Sequence, residues 1–150
     1  MANQVESMLI SSLYDFLQRE RFVTISTVDH ETCGPNVSAI SWVFAPDQNH
    51  IVFAVDNRSR IIQNIKKTPL IVMNVVANES TYSIYGKAII KNEKMEDVPL
   101  KLALIELTIS EVRDVMFYGA KISVEPRYEK TYDAEAATRL DQQVMNAIKK

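Results

Sequence analysis

Arg58, Ser59 and Arg60 stand where a strand gives way to a helix. Upstream, His50-Ile51-Val52-Phe53-Ala54-Val55-Asp56 is a short, β-branched apolar run that predicts a strand. Downstream, Ser59-Arg60-Ile61-Ile62-Gln63-Asn64-Ile65-Lys66-Lys67 predicts a helix, stopped by Thr68-Pro69. A helix N-terminus carries a partial positive charge and N–H groups without partners. Cations belong at the other end, where Lys66 and Lys67 stand. Two guanidinium groups at the positive pole therefore call for an anion. The simplest external one is a phosphate, held by N–H groups, the serine hydroxyl and guanidinium forks. The alternative is a solvated turn whose arginines pair with a nearby carboxylate such as Asp56. These residues alone leave both readings open.

Ser38-Ala39-Ile40-Ser41-Trp42 is the second stretch with chemical possibilities. In an extended chain, Ser38, Ile40 and Trp42 share one face, and Ala39 and Ser41 the other. Small and polar side chains leave the backbone accessible, so a flat heteroaromatic ligand could lie against it and bond to main-chain groups. The alternative is an ordinary strand with Trp42 filling a gap in the core. Thr81, Tyr82 and Tyr85 could add a hydroxyl to such a site, although tyrosine is common in strands for propensity reasons alone.

Other chemistries find no support. There is no GxGxxG, no P-loop and no nucleophile elbow. His30 and His50 have no partner at metal-ligand spacing, so no metal is expected. Cys33 is the single cysteine, which excludes an intramolecular disulfide and points to a reducing cytoplasm. The net charge of −2 gives no global field for nucleic acid. No apolar run reaches the ~20 residues of a membrane span, and Met1-Ala2-Asn3-Gln4-Val5-Glu6 does not read as a signal peptide.

The elements that must position these residues follow from periodicity. Val5, Met8, Leu9, Leu13, Phe16 and Leu17 predict an amphipathic helix over residues 3–19. Strands are expected at 22–28, 36–44 and 50–55, joined by short turns as an antiparallel meander. After the short helix come strands at 70–76, 81–91, with Gly86 inside it, and 103–110. Residues 92–99 form a polar connection with room for one helical turn, and 112–124 are another strand or irregular extended chain. Asp133 caps a final helix over 134–149. Three glycines are few for so many turns, so Asn and Asp must take the tight positions. Six or more short strands in about 100 residues predict a small antiparallel barrel, mainly β with flanking helices, in one domain spanning 1–150.

Taken in order, the pieces resemble a known family. Phe22-Val-Thr-Ile-Ser-Thr-Val-Asp29 followed by Gly34-Pro35 is similar to the opening hairpin of the pyridoxamine 5′-phosphate oxidase-like FMN-binding split barrels. Phe53-Ala-Val-Asp-Asn-Arg-Ser59-Arg60, with Asn64 and Thr68-Pro69, resembles their phosphate segment, and Gly86-Lys87-Ala88 their Gly-x-Ala strand. The resemblance spans about residues 10–125. It implies a homodimer with FMN at the subunit interface and both chains contributing. Carried over by position, Ser59 and Arg60 would bind the phosphate, with Arg58 assisting. Ser38, Ala39, Ile40 and Ser41 would line the flavin ring edge, Ala54 and Val55 the ribityl chain, and Thr81 the pyrimidine side.

The resemblance has gaps. Ile61 stands where the oxidase has lysine after Ser-Arg, and Ser38 where it starts its ring-binding strand with arginine. The C-terminal Arg-x-His and Arg-Leu-x-Pro that grip its substrate are absent. Pyridoxamine-phosphate oxidation is therefore not expected. What remains is an FMN-dependent oxidoreductase, acting on an unidentified small molecule or nicotinamide donor. The alternatives are a non-catalytic, stress-related flavin carrier or sensor, and a cofactor-free interaction protein.

Overall fold

A computed structural model describes residues 5–150, in which one antiparallel sheet of eight strands carries the molecule. In chain order the elements are β1 (Val5–Glu6), α1 (Ser11–Phe16), β2 (Val23–Val28), β3 (Pro35–Ile40), β4 (Val43–Asp47) and β5 (His50–Asp56). Then come α2 (Arg60–Lys67), β6 (Leu70–Ala77), β7 (Ser80–Asn92), β8 (Leu102–Asp114) and α3 (Ala134–Lys149). Across the sheet the order is β3-β2-β6-β7-β8-β5-β4, with β1 beside β8.

β3 and β4 are the two ends of that order, yet in the chain only Ser41 and Trp42 separate them. The sheet is thus a split barrel, open where its first and last strands part. This corrects the single strand expected over 36–44. The Ser41 carbonyl accepts N–H bonds from Val43 at 2.9 Å and from Arg21 at 3.2 Å, turning the chain there. Pairing then passes from β2, with Ile25 opposite Ser38, to β5, with Val43 opposite Phe53. The expected meander is accordingly two hairpins, β2–β3 and β4–β5, at opposite ends of the sheet.

Period-two burial decides which side chains face inward. Val23 and Ile25 of β2, Ile71, Met73 and Val75 of β6, and Ile84 of β7 fill the interior. β5 is apolar from Ile51 to Val55 because both its faces are covered there. Ile51, Phe53 and Val55 point into the barrel, whereas Val52 and Ala54 lie in a second cluster with Val144, Met145 and Ile148 of α3.

The helix expected over 3–19 is much shorter. Val5 and Glu6 pair with Arg113 and Val112 of β8 instead, and residues 3 and 4 lie outside the described residues. Gln48 fixes the chain before α1: its carbonyl accepts from Leu9 N–H, and its Nε2 donates to the Leu9 carbonyl, both at 2.9 Å. Leu9, Leu13 and Leu17 are fully buried, each contributing about 1.5–3 kcal/mol. That docking holds a six-residue helix that would not form alone. The last strand runs on to Asp114, with irregular chain beyond it, and residues 93–101 contain no helical turn. At the β6–β7 turn Asn78 and Glu79 have φ of 54° and 61°, the mirror-image pair that suits a two-residue hairpin.

Candidate functional site

Where the barrel splits, β3 has a free edge. It pairs with β2 on one side only, so alternate N–H and C=O groups of Ser38–Ile40 have no ladder partner. Facing it are the C-terminal end of β5 and the N-terminus of α2. Between them lies a cleft of about 390 Å³, lined by Ser38–Trp42, Ala54–Asp56, Ser59 and Ile61. That volume lies within the range of small-ligand sites.

The structure brings most of the sequence-derived candidates together here. Ser38, Ala39, Ile40, Ser41, Ala54, Val55 and Ser59 all line the cleft. Ser59 is the N-cap of α2: its Oγ accepts from Ile61 N–H at 3.2 Å and its own N–H donates to the Asp56 carbonyl at 2.9 Å. The positive pole of α2 therefore opens at one end of the cleft.

The two arginines flank the cleft without lining it, and both already meet carboxylates. Arg58 is largely exposed and holds Asp56 through Nε at 3.3 Å and Nη2 at 3.2 Å. Its guanidinium keeps the Asp56 carboxyl below its ordinary range. Arg60 donates from Nε to Asp29 Oδ1 at 2.6 Å and from Nη2 to Glu31 Oε1 at 2.8 Å. Asp29 is buried, with 5% of its side chain exposed. Arg60, the Thr32 backbone N–H and the Asn36 amide hold its carboxyl far below the usual carboxylate range. Asp29 also accepts from Glu31 N–H, so it organises the β2–β3 turn as well. A guanidinium has donors on three nitrogens; Nη1 of Arg60 is engaged by no carboxylate among the described residues.

Asn64 fastens the same turn to α2. Its Oδ1 accepts from His30 N–H at 2.9 Å and its Nδ2 donates to Thr27 Oγ1 at 2.9 Å. Thr81 lies elsewhere. It sits opposite Val76 on the outer face of β6 and β7, where its Oγ1 accepts from Asn74 Nδ2.

Sequence reasoning missed Asp29 and Glu31 as the carboxylates that meet Arg60. They lie about thirty positions away and only the folded hairpin brings them in. It also missed Asp56 and Ile61 as cleft walls, although both adjoin the residues it singled out.

Residues 11–116 match the family model described as "Pyridoxamine 5'-phosphate oxidase". Among solved structures, a Lactobacillus delbrueckii protein provisionally described as a pyridoxamine 5′-phosphate oxidase superposes with a TM-score of 0.62 at 16% identity. The match covers 75% of this chain and 98% of that one. HupZ of Group A Streptococcus gives 0.59 at 16% identity, covering 76% and 98%. General Stress Protein 26 of Bacillus anthracis gives 0.55 at 16% identity, covering 67% and 88%. At such identities the likeness establishes the fold alone. No curated protein matches the chain in sequence.

Proposed function

The chain belongs to the pyridoxamine 5′-phosphate oxidase family, and from this premise we propose that the cleft at the barrel split binds FMN for an oxidoreductase reaction. The observation that carries the reading is the convergence on one cleft of a free strand edge, two small apolar side chains and a capped helix N-terminus. In this reading the β3 edge at Ser38–Ser41 bonds the rim of the flavin ring, and Ala54 and Val55 pack beside the ribityl chain. Ser59 and the α2 N-terminus receive the phosphate. Arg58 leaves its exposed pair with Asp56 to join them, and Arg60 offers Nη1 while Asp29 and Glu31 hold its other donors. When bound, the flavin supplies the hydride and electron chemistry; this chain orients it and shields one face from water.

The proposal includes a homodimer. Val37, Ser26, Val72 and Tyr85 form a row across β3, β2, β6 and β7 on the outer face. Val37 is 68% exposed, and Leu70 nearby is 65% exposed. Leu70, Val72 and Tyr85, with Pro35 and Val28, line an apolar groove of about 370 Å³ beside Val37. A second copy seated there would cover this face, and its Thr81 could then reach toward the cleft. No described helix is long and apolar enough to cross a membrane. Exposed Cys33 as the lone cysteine suits a reducing cytoplasm. The reacting small molecule, or nicotinamide donor, is left open by the side chains present.

A second reading, a split barrel with no flavin or none that turns over, is favoured by one feature. Both guanidinium groups beside Ser59 are already neutralised by carboxylates. An absorption spectrum of the purified protein, before and after adding FMN, separates the two. Bound flavin bands, followed by their bleaching with NADH or NADPH and return with an acceptor, are expected. No uptake of FMN by the native protein would sink the flavin reading, and uptake without reduction by any donor would leave a carrier.

A further inference from the structure

Residues 117–150 lie beyond the family match, yet they reach back to the cleft. The link is Lys130. Its Nζ donates to Glu20 Oε2 at 2.8 Å and to Asp141 Oδ1 at 3.0 Å. The same Glu20 oxygen accepts from Ser41 Oγ at 2.5 Å, and the same Asp141 oxygen from Trp42 Nε1 at 2.9 Å. Ser41 and Trp42 are the two residues between β3 and β4, and both line the cleft. One ammonium thus ties two neighbouring cleft residues through two carboxylates, all three charged groups being partly buried.

The surroundings make this a clamp on the indole. Lys130 Nζ stands 5.9 Å from the Trp42 ring centroid and 5.7 Å from that of Tyr128, within cation–π reach. Trp42 also packs against the cluster that includes Leu140, Val144 and Ile148 of α3. Burial works against the charge on Lys130, but Glu20 and Asp141 outweigh it and raise its affinity for the proton. Without the ammonium, two carboxylates would share a partly buried site without a cation, and each would gain by turning to water. Ser41 and Trp42 would then lose fixed acceptors.

We infer that Lys130, supplied by the C-terminal extension, is a positioning residue that sets the Trp42 indole and the Ser41 hydroxyl, and with them which flat ring the cleft accepts. The identity of that ring rests on the flavin reading; the clamp itself does not. Trp42 is the only tryptophan, so intrinsic fluorescence of the full chain reports on it directly.

In Lys130→Met the tryptophan emission should move to the red, acrylamide should quench it more strongly, and FMN affinity should fall about tenfold. Lys130→Arg, which keeps the charge, should restore all three towards wild type. Wild-type emission, quenching and FMN affinity in Lys130→Met overturn the inference, as does an arginine variant no better than methionine. If the wild-type protein takes up no FMN, the flavin reading fails by itself. Emission and quenching then decide the clamp: a shift supports it and unchanged values overturn it. Should Lys130→Met not fold, Asp141→Asn is read by the same criteria, since it keeps an acceptor for the indole N–H and removes a charge that holds Lys130.

Discussion

Arg58 and Arg60 are two positions apart, and their ion pairs differ in kind. The Arg58–Asp56 pair is exposed on both sides, and such pairs contribute little to stability. Arg58→Ala should therefore leave the thermal midpoint within error while weakening FMN binding about tenfold, as measured by titration. Arg60 satisfies a buried carboxylate, so Arg60→Ala should lower the midpoint by several degrees whether or not a ligand is present. The pH dependence follows from the same pair. Asp29 has its carboxyl depressed in the folded state, so it binds fewer protons there than when unfolded. Its contribution is fully present above about pH 4 and is lost as pH falls further. Urea unfolding of the wild-type protein should show stability declining below that point, with a shallower decline in Arg60→Ala. An identical acid limb in both proteins would remove Asp29 from the explanation. An arginine at the start of a helix was visible in the sequence as an electrostatic oddity, but its partners were not. Asp29 and Glu31 come from a hairpin whose closure against α2 is a tertiary event, fastened by Asn64 between His30 and Thr27.

At the scale of elements, the longest strands depend on a glycine for reasons of space. A Cβ at Gly86 would stand 2.1 Å from the Thr108 carbonyl oxygen and 2.7 Å from Leu107 Cδ1. The β7–β8 register shifts between Tyr85 and Gly86, which is how the two backbones come so close. Gly86→Ala should cost about 1–3 kcal/mol, the usual range for overpacking. Denaturant titration measures this directly, and an unchanged midpoint would mean that the strands part freely there. Sequence patterns located β2, β5, β6, β7 and α3 to within a few residues, because alternation or a helical stripe coincides with real burial. They failed where local pattern and pairing disagree. Residues 36–44 read as one strand by local pattern, and only the turn and exchange of partners at Ser41 and Trp42 split them into two. Val5 and Met8 fit a helical stripe but remain exposed, because β8 offers Val5 an edge to pair with.

Among the described residues of the whole molecule, one largely apolar sheet face carries exposed Val37 and Leu70. A row running from Val37 to Tyr85, together with Leu70, is what a monomer in water would be expected to cover. A dimer through this face makes a clear forecast. Val37→Glu combined with Leu70→Glu should give a folded monomer by size-exclusion chromatography with light scattering, and FMN affinity should fall with it. The exchanges themselves should change monomer stability little, since both side chains are exposed. A double variant that remains dimeric, or a wild-type protein that is monomeric, would place the interface elsewhere or remove it.

By itself the sequence determined the class of fold and the strand-to-helix junction at Ser59. These follow from periodicity, capping and residue size, which act over a few positions. Tertiary structure alone decided where the barrel splits, which carboxylates meet Arg60 and how Lys130 reaches Ser41 and Trp42 from the far end of the chain. Those outcomes depend on surfaces that exist only after the sheet has curled, when groups as much as 110 positions apart come within hydrogen-bonding distance.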